Sequence, residues 1–256
     1  NNFEAWWNRH EPTGTGARGS VILFHDTFNT YNTPEVAVAA TRLLEHFNYR
    51  VLTVPRRCCG RPMISKGMLR DAKEHATWNV NELLPYVEQG VPVVGLEPSC
   101  ILTLRDEYPD LLRNEAARVV AGQTFLIEEF LMRENAAGSL KNGNRPPVVL
   151  HGHCHQKALV GRGPTVSVLR EAGHEVREID SGCCGMAGSF GFEKEHYDVS
   201  VAIAARRLVP AVEAAPQGAR VVASGISCRQ QIEHLTGRRA AHPVEVLLED
   251  IREAEA

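Results

Sequence analysis

The chain carries the same order of strands, helices and cysteines twice. Each copy starts with an apolar run that predicts a buried strand, continues through a helical stretch, and reaches a second strand that ends in Cys-Cys-Gly. A long helical segment and a third strand follow in both copies, and that strand leads into a Ser-Cys pair. The landmarks are the runs at residues 20–28 and 147–155, the triplets at 58–60 and 183–185, and the cysteines at 100 and 228. Because three landmarks recur in order at similar spacings, the sequence predicts an internal duplication.

Strands that alternate with helices predict a parallel sheet with right-handed crossovers. In such sheets functional groups collect beyond the carboxyl ends of the strands, and each cysteine here follows a predicted strand. We therefore predict an α/β fold of two tandem pseudo-symmetric repeats, each a small parallel sheet flanked by helices, with the cysteines at the strand ends. The predicted division is an N-terminal extension, a first repeat with a helical connector, and a second repeat, at residues 1–19, 20–145 and 146–256. The connector is predicted to end in an exposed loop at residues 135–147.

The composition excludes several classes of protein. The chain has 28 Lys and Arg against 31 Asp and Glu, a formal charge of −3, so it has neither the basic excess of a nucleic-acid-binding protein nor an acidic disordered tail. At 256 residues and 43% hydrophobic content it can bury a core. No apolar run approaches the ~20 residues of a membrane span, and the N-terminal residues lack a signal-peptide pattern. We expect a cytoplasmic protein without a nucleic-acid partner, and peripheral binding at the inner membrane face is left open.

The seven cysteines are the candidate metal ligands. Their odd number and the two adjacent pairs disfavour a disulfide scaffold, and free buried thiols would not explain two equivalent Cys-Cys-Gly triplets. Thiolates are soft ligands that suit iron–sulfur clusters and zinc, and a 4Fe–4S cluster usually takes four. The second copy offers four cysteines, Cys154, Cys183, Cys184 and Cys228. The first copy offers three, Cys58, Cys59 and Cys100, and has Thr27 where the second has Cys154.

Zinc is the main alternative, because a tetrahedral site also takes four Cys or His ligands. His153 or His155 would then serve as a ligand or as a hydrogen-bond donor to one, although both are equally compatible with ordinary polar residues at a strand end. A thiol–disulfide enzyme that uses one cysteine pair is a further alternative. Gly60 and Gly185 are predicted to remove a side chain where the backbone approaches the metal centre and to offer N–H groups to its sulfurs. We predict no catalytic residue in the chain.

The doubled triplet resembles the cysteine-rich CCG domain family. The family pattern is a cysteine, then Cys-Cys-Gly, then Cys-x-x-Cys, usually present twice, and the resemblance covers residues 19–251. Members are found in the cysteine-rich subunit of heterodisulfide reductase, in the iron–sulfur subunits of glycolate and lactate oxidation, and in anaerobic glycerol-3-phosphate dehydrogenase. Residues 25–28, 58–67 and 95–100 are similar to the C-terminal part of large FAD-linked oxidases of the D-2-hydroxyglutarate and D-lactate dehydrogenase type.

The resemblance implies an iron–sulfur electron-transfer domain of a FAD-linked oxidoreductase. Its substrate would be a 2-hydroxy acid of the D-2-hydroxyglutarate, D-lactate or glycolate type, and its FAD would lie in a part of the protein outside this chain. The implied partners are a FAD-containing dehydrogenase domain or subunit, a quinone or electron-carrier protein, and further copies in an oligomer. The alternative is a zinc-binding structural or docking module without a redox role.

The sequence departs from the family pattern at three positions. Glu97 and Gly225 stand where the two copies would have the first cysteine of Cys-x-x-Cys, and Thr27 replaces the leading cysteine of the first copy. The resemblance implies that the non-cubane clusters of heterodisulfide reductase need an arrangement of five cysteines, which neither copy of this chain can supply. A four-thiolate cluster in the second copy is therefore favoured. The first copy is predicted to hold no metal, a metal completed by His25, Asp26 or Glu97, or ligands shared between the copies. Zinc remains a candidate metal for the first copy, because the resemblance implies that some family members hold zinc in one of their two copies.

Overall fold

The structure, a computed structural model, describes residues 2–140 and 145–255. The chain divides into two compact units, unit 1 at residues 1–130 and unit 2 at residues 131–256. Each unit is built on one parallel sheet with helices in the connections, which confirms the predicted fold class. The helices within these described ranges are all too short or too polar to cross a membrane.

Unit 1 contains a four-stranded parallel sheet. Its strands are β1 (Ser20–Phe24), β2 (Arg50–Leu52), β3 (Val93–Gly95) and β4 (Thr124–Leu126), in the order β2-β1-β3-β4. The central strand pairs on both sides, with Val21 opposite Val51 and Leu23 opposite Val94. All of β1 after its first residue is buried, as expected for a parallel strand covered on both faces.

Nine helices begin in the described part of unit 1. They are α1 (Phe3–Trp7), α2 (Thr27–Tyr31), α3 (Pro34–His46), α4 (Arg61–Ser65), α5 (Leu69–Val87), α6 (Pro98–Arg105), α7 (Glu107–Leu112), α8 (Glu115–Gly122) and α9 (Ile127–Arg133), the last of which runs across the unit boundary. A proline in the first turn starts α3, α4 and α6, where its missing N–H has no helical partner to lose. Within the N-terminal extension, the Asn2 side chain caps α1 and Phe3 is fully buried.

The connector between the copies is helical, as predicted, but it also supplies a strand. Residues 124–126 form β4, which pairs in parallel with β3. The three residues Thr-Phe-Leu between two helices are too few to show a two-residue alternation, so the sequence pattern could not separate them from a helix. The described part of the predicted loop contains a 3₁₀ helix, Ala137–Leu140, in which Ala137 and Leu140 are buried. Residues 141–144 of that loop lie outside the described ranges, and the predicted domain boundary after residue 145 stays a prediction.

Unit 2 contains a three-stranded parallel sheet. Its strands are β5 (Val148–His151), β6 (Val176–Glu178) and β7 (Arg220–Ala223), in the order β6-β5-β7. Val149 of the central strand pairs with Arg177 on one side and Val221 on the other. This sheet therefore repeats the β2-β1-β3 arrangement of unit 1 without the fourth strand.

The helices of unit 2 are shorter than predicted. They are α10 (Cys154–Leu159), α11 (Gly163–Glu171), α12 (Tyr197–Ala205), α13 (Leu208–Glu213), α14 (Ile226–Thr236) and α15 (Pro243–Glu255), with 3₁₀ turns at Phe190–Phe192 and Lys194–His196. The sequence predicts one long helix at residues 193–212, and this prediction is wrong. Arg207 leaves the helical conformation with φ −146°, and Pro210 has no N–H for the carbonyl four residues earlier, so α12 ends before α13 begins.

The core of unit 2 joins the sheet, the triplet loop and α14. It includes Val149, Ile179, Met186, Leu208, Val221 and Ile232, together with the side chains of Cys184 and Cys228. A buried ion pair fixes α15 at the other end of the unit: His174 Nε2 lies 2.8 Å from an Asp250 oxygen, and both side chains are fully buried. Arg145 lies 3.4 Å from the same carboxylate.

Candidate metal centre

The four cysteines of unit 2 lie in three segments that leave the carboxyl ends of neighbouring strands. Cys154 is the first residue of α10, directly after β5. Cys183 and Cys184 lie in the loop after β6, and Cys228 lies in the first turn of α14, after β7. Because the parallel strands end at one edge of the sheet, the fold delivers all four side chains to that edge.

The four thiols are in contact with one another as a continuous series. Hydrogen-bonding contacts join Cys154 to Cys183, Cys183 to Cys184, and Cys184 to Cys228. The series also runs from the surface inwards: Cys154 is exposed, Cys183 is half-buried, and Cys184 and Cys228 are 5% and 2% exposed. The structure thus brings together the four residues that the sequence predicts as ligands of one centre.

Histidines lie beside the thiols at both ends of this series. The ligand atoms of His151, Cys184 and Cys228 lie within 4.8 Å of one another, as do those of His153, Cys154 and His155. His151 is 1% exposed; its Nδ1 lies 2.7 Å from Ser181 Oγ, and its Nε2 is also buried.

Sequence reasoning singled out His153 and His155 and passed over His151. Extended backbone places residues two apart on one face, and the backbone stays extended through His153, the N-cap of α10, so His151 and His153 are both buried. The helix begins at Cys154, so His155 leaves that face and is half-buried. The alternation in this segment was the signal that could have found His151.

The pKa values of the unit 2 thiols move in alternating directions. Hydrogen bonds from Cys154 and Cys184 lower the pKa of Cys183, against the effect of burial. Hydrogen bonds to Cys183 and to Cys228, followed by burial, raise the pKa of Cys184. These shifts favour the thiolate at Cys183 and Cys228 and the neutral, hydrogen-bond-donating thiol at their neighbours.

The pKa of Cys228 is lowered although the side chain is buried. A hydrogen bond from Cys184 lowers its pKa, burial opposes this, and the imidazoles of His151 and His153 lower it further. Burial alone would favour the neutral thiol, so the neighbouring donors determine the direction.

Gly185 shapes the triplet loop of unit 2. Its φ of +95° lies in the left-handed region, and a Cβ there would stand 2.1 Å from the carbonyl oxygen of Ser200. Its N–H donates to Cys183 Sγ over 3.2 Å. Lys157 braces the same loop, because its Nζ donates to the carbonyls of Ser181 and Gly182 over 2.5 and 2.6 Å. A side chain at position 185 would displace both α12 and the loop.

Unit 1 brings its three cysteines together in the corresponding places. Hydrogen-bonding contacts join Cys58 to Cys59 and Cys59 to Cys100, and Thr27, the first residue of α2, forms one with Cys58. Gly60 has φ +85° and N-caps α4, and a Cβ there would stand 3.5 Å from Ala72. Thr27 therefore occupies the place of the fourth thiol.

Buried carboxylates surround the thiols of unit 1. Asp26 and Glu97 are each 2% exposed, and burial followed by the charge of Glu97 raises the pKa of Asp26 to about 6. A hydrogen bond from Cys59 lowers the pKa of Cys100, but burial and the charges of Asp26, Glu97 and Cys58 outweigh it and raise that pKa to about 12. Two of the three predicted completing groups, Asp26 and Glu97, thus act directly on the unit 1 thiols.

The third candidate, His25, is engaged elsewhere. Arg56 Nε donates to His25 Nδ1 over 3.2 Å, and Thr30 Oγ1 lies 3.0 Å from the same nitrogen. The ring also packs against Phe3 of α1, with centroids 5.1 Å apart. These contacts account for its position without a metal.

Two residues far along the sequence hold the unit 1 triplet loop. The Tyr108 hydroxyl donates to the Cys59 carbonyl over 3.0 Å, and Asn79 Nδ2 donates to that hydroxyl over 2.9 Å. Asn79 Oδ1 accepts the Arg57 N–H over 2.8 Å. No local motif marks Asn79 or Tyr108, so sequence reasoning could not find them.

The family model of the cysteine-rich CCG domain matches residues 22–105 and 148–233, one match in each unit. The chain belongs to this family. The match confirms the resemblance drawn from the doubled triplet, and each matched CCG segment runs from the first strand of its unit into the helix that carries the last cysteine.

CCG-family relatives include dehydrogenase components. The chain is 32% identical over 251 residues to a subunit of the anaerobic glycerol-3-phosphate dehydrogenase of Escherichia coli, covering 96% of this chain and 62% of the relative. It is 27% identical over 235 residues to D-2-hydroxyglutarate dehydrogenase of the same species, covering 91% of this chain and 23% of the relative. It is 25% identical over 180 residues to lactate utilization protein A of Bacillus subtilis, covering 66% of this chain and 72% of the relative. The chain thus spans less than two thirds of the length of the first two relatives.

Proposed function

We propose that this chain is the iron–sulfur electron-transfer module of a dehydrogenase. In this proposal a 4Fe–4S cluster is held by four thiolates of unit 2, those of Cys154, Cys183, Cys184 and Cys228. The observation that carries the proposal is the continuous contact of these four thiols, delivered by three separate segments to one sheet edge. When bound, such a cluster takes up and releases single electrons.

The surroundings of the thiols fit such a group. Four cysteines match the usual donor set of a 4Fe–4S cluster. The Gly185 N–H already donates to Cys183 Sγ, as backbone amides do toward cluster sulfurs. His151 lies beside Cys228 and lowers the pKa of that thiol by its charge and by a hydrogen bond. A histidine in this place would also suit an anionic sulfur of a bound cluster.

The exposure of the four cysteines decreases from one side of the site to the other. Cys184 and Cys228 lie in the apolar core, where a low dielectric surrounds the inner sulfurs. Cys154 is exposed and Cys183 half-buried, so the outer sulfurs reach the surface of unit 2. An electron donor or acceptor would approach at this outer edge.

The dehydrogenase role rests on the family and on its relatives. Oxidation of a 2-hydroxy acid to a 2-oxo acid releases two electrons, which this module would relay singly to a quinone or carrier protein. FAD would be bound by a domain or subunit outside this chain. The names of two relatives contain D-2-hydroxyglutarate and lactate, both 2-hydroxy acids, which supports that substrate class, and the name of a third contains glycerol-3-phosphate, which lies outside it. Assembly into an oligomer stays a prediction.

Metal analysis of the anaerobically purified protein tests the proposal. We expect about four iron and four sulfide per chain, a broad visible absorption, and an electron paramagnetic resonance signal after reduction. Cys183→Ser should abolish the absorption, whereas the matched change in unit 1, Cys58→Ser, should leave it. A colourless protein, or equal loss from both changes, would contradict the proposal.

A zinc site is the second candidate. The mixed group of His151, Cys184 and Cys228, with ligand atoms within 4.8 Å of one another, has the nitrogen and sulfur donors that zinc prefers. Stoichiometric zinc without sulfide in the purified protein would establish this structural alternative. Iron with sulfide, and zinc well below one per chain, would exclude it for unit 2.

Substrate class is tested in the holoenzyme. D-2-hydroxyglutarate, D-lactate, glycolate and glycerol-3-phosphate would be added separately under anaerobic conditions, and bleaching of the visible absorption would be followed. We expect a 2-hydroxy acid to reduce the centre. Reduction by glycerol-3-phosphate alone would retain the electron-transfer role and overturn the substrate.

A further inference from the structure

Gly225 leaves space beside Cys228 that a histidine occupies. A Cβ at position 225 would stand 2.4 Å from His153 Cδ2, 3.2 Å from His153 Nε2 and 3.3 Å from Cys228 Sγ. The first distance is shorter than side chains tolerate, so any larger residue would push the imidazole away from its place. The missing side chain thus admits the His153 ring to the neighbourhood of the Cys228 sulfur.

The backbone gives no other reason for glycine at this position. Gly225 has φ −78° and ψ 134°, an extended conformation open to every residue. It is the N-cap of α14, where Ser, Thr, Asp or Asn would stabilise the helix by roughly a few tenths of a kcal/mol relative to glycine. Glycine at this position therefore provides no capping side chain but leaves open the space beside Cys228.

Hydrogen bonding fixes which ring nitrogen of His153 carries the proton. The His155 backbone N–H donates to His153 Nδ1 over 3.2 Å, so this nitrogen presents its lone pair. In the neutral ring the proton then lies on Nε2, which, like Cys228 Sγ, borders the space left by Gly225. A neutral imidazole that would bind a metal through Nε2 needs the opposite tautomer, so His153 is arranged as a donor rather than a ligand.

The ring is also held in this orientation. His153 is 5% exposed, its ring stacks on that of His155 with centroids 5.7 Å apart, and it serves as the N-cap of α10. Rotation of the ring would break the cap and bury the Nδ1 lone pair without a donor. The orientation is therefore preorganised by the local fold.

We infer that His153 is a positioning residue of the proposed centre, whose Nε2–H, admitted by the missing side chain of Gly225, donates a hydrogen bond to the Cys228 sulfur. The inference rests on the proposed function, since it assigns a tuning role at the same site. A donor to a ligand sulfur stabilises the more negative, reduced state of an iron–sulfur centre and raises its reduction potential.

Redox titration of the anaerobically purified full-length protein tests the inference. His153→Phe keeps a planar ring and removes the donor, so we expect a lower midpoint potential with iron content retained. His153→Gln keeps an N–H donor at similar reach and should restore most of the potential. Gly225→Ala should lower the potential in the same direction as His153→Phe, because it displaces the ring.

The matched control is Gly182→Ala, in the triplet loop. A Cβ at position 182 meets no described atom within 4 Å, so the potential and the iron content should be unchanged. An unchanged potential in His153→Phe would overturn the inference. Loss of iron in both His153 variants, with iron retained in Gly182→Ala, would also overturn it, because His153 would then be a ligand.

A second measurement needs no cluster. Nitrogen-15 NMR of the histidine-labelled chain, reduced, stripped of metal and shown by circular dichroism to remain folded, reports the tautomer of each ring, and His153 is assigned by loss of its signal in His153→Phe. We expect the Nε2–H tautomer, and an Nδ1–H tautomer would overturn the inference. Absence of iron and sulfide from the unsubstituted protein would contradict the proposed function alone, and the tautomer would still decide the role of His153.

Discussion

Cys100 of unit 1 and Cys228 of unit 2 occupy equivalent places and have opposite acidities. Each lies in the first turn of the helix that follows the third strand of its unit, and each is at most 4% exposed. Yet the pKa of Cys100 is raised to about 12, and the pKa of Cys228 is lowered. Burial is common to both, so the difference comes from the charged and polar neighbours.

Those neighbours also lie at equivalent backbone positions. The helix after the first strand is N-capped by Asp26 in unit 1 and by His153 in unit 2. The helix after the third strand is N-capped by Glu97 in unit 1 and by Gly225 in unit 2. The two copies thus share these backbone positions but differ in their side chains. Unit 1 has two carboxylates there, whereas unit 2 has an imidazole and a glycine without a side chain. Carboxylates disfavour a nearby thiolate and imidazoles favour it, which suits unit 2 to collect several thiolates.

The largest expected effect comes from removing equivalent sulfurs. Cys228→Ser should eliminate the visible absorption and the paramagnetic signal of the reduced protein, because it removes one of four ligands. Cys100→Ser should leave both signals within experimental error. Absorption per mole of protein measures the outcome, and bleaching by Cys100→Ser would show that the two sites do not differ as described.

The next effect concerns the fold that supports unit 2. Asp250→Ala leaves His174 and Arg145 without their buried carboxylate, and we expect a loss of about 3–5 kcal/mol in the free energy of unfolding of unit 2. Urea denaturation followed by circular dichroism measures it. The control is Glu115→Ala in unit 1, which breaks an exposed pair with Arg118 and should cost less than about 1 kcal/mol. Equal losses would remove the distinction between them.

The two triplet glycines provide a matched pair. Gly60→Ala should cost about 1–2 kcal/mol, because φ is positive but the nearest atom to the new Cβ is 3.5 Å away. Gly185→Ala should cost more and reduce iron content, because the new Cβ would overlap the Ser200 carbonyl. Thermal unfolding and iron analysis distinguish them, and a larger loss at Gly60 would contradict the geometry.

The smallest effect is a pH dependence confined to unit 1. Burial, followed by the charge of Arg56, lowers the pKa of His25 from 6.5 to about 3. Below pH 6.5 the unfolded chain therefore takes up a proton on His25 that the folded unit does not, and this contribution lowers stability by up to about 1.4 kcal/mol per pH unit. Asp26 opposes it below about pH 6, because its raised pKa lets the folded unit take up a proton first. Denaturation between pH 6.5 and 4.5 therefore compares variants: relative to the unsubstituted protein, His25→Gln should gain stability toward low pH and exposed His46→Gln should not, and an unchanged pH dependence in His25→Gln would disprove the assignment.

The repeat and the meeting of the cysteines were predictable from the sequence, because both follow from periodicity and from the rule that parallel strands end at one edge. Strand β4 was missed because its three residues, Thr-Phe-Leu, are too few to show a period. The predicted long helix was wrong because a single backbone torsion at Arg207 and the proline after it divide the segment.

The finer parts of the site could not be predicted, for physical reasons. Asn79 and Tyr108 act on the first triplet across long sequence separations, through hydrogen bonds that no local pattern encodes. The pairing of Gly225 with His153 depends on a side-chain volume and a ring orientation fixed only in three dimensions. The sequence could show that Gly225 departs from the family pattern, but not what occupies the space.

The inward position of Cys184 and Cys228 has a consequence for how the protein matures. These sulfurs pack among Met186, Ile232 and the sheet, so they are walls of the interior as well as ligands. Loading of the inorganic group should then stabilise this half of the molecule as a whole, because ligand binding contributes directly to the free energy of folding. Oxygen or a chelator that removes the group would lower the stability of the entire second half, and the protein would then have to be reloaded or degraded.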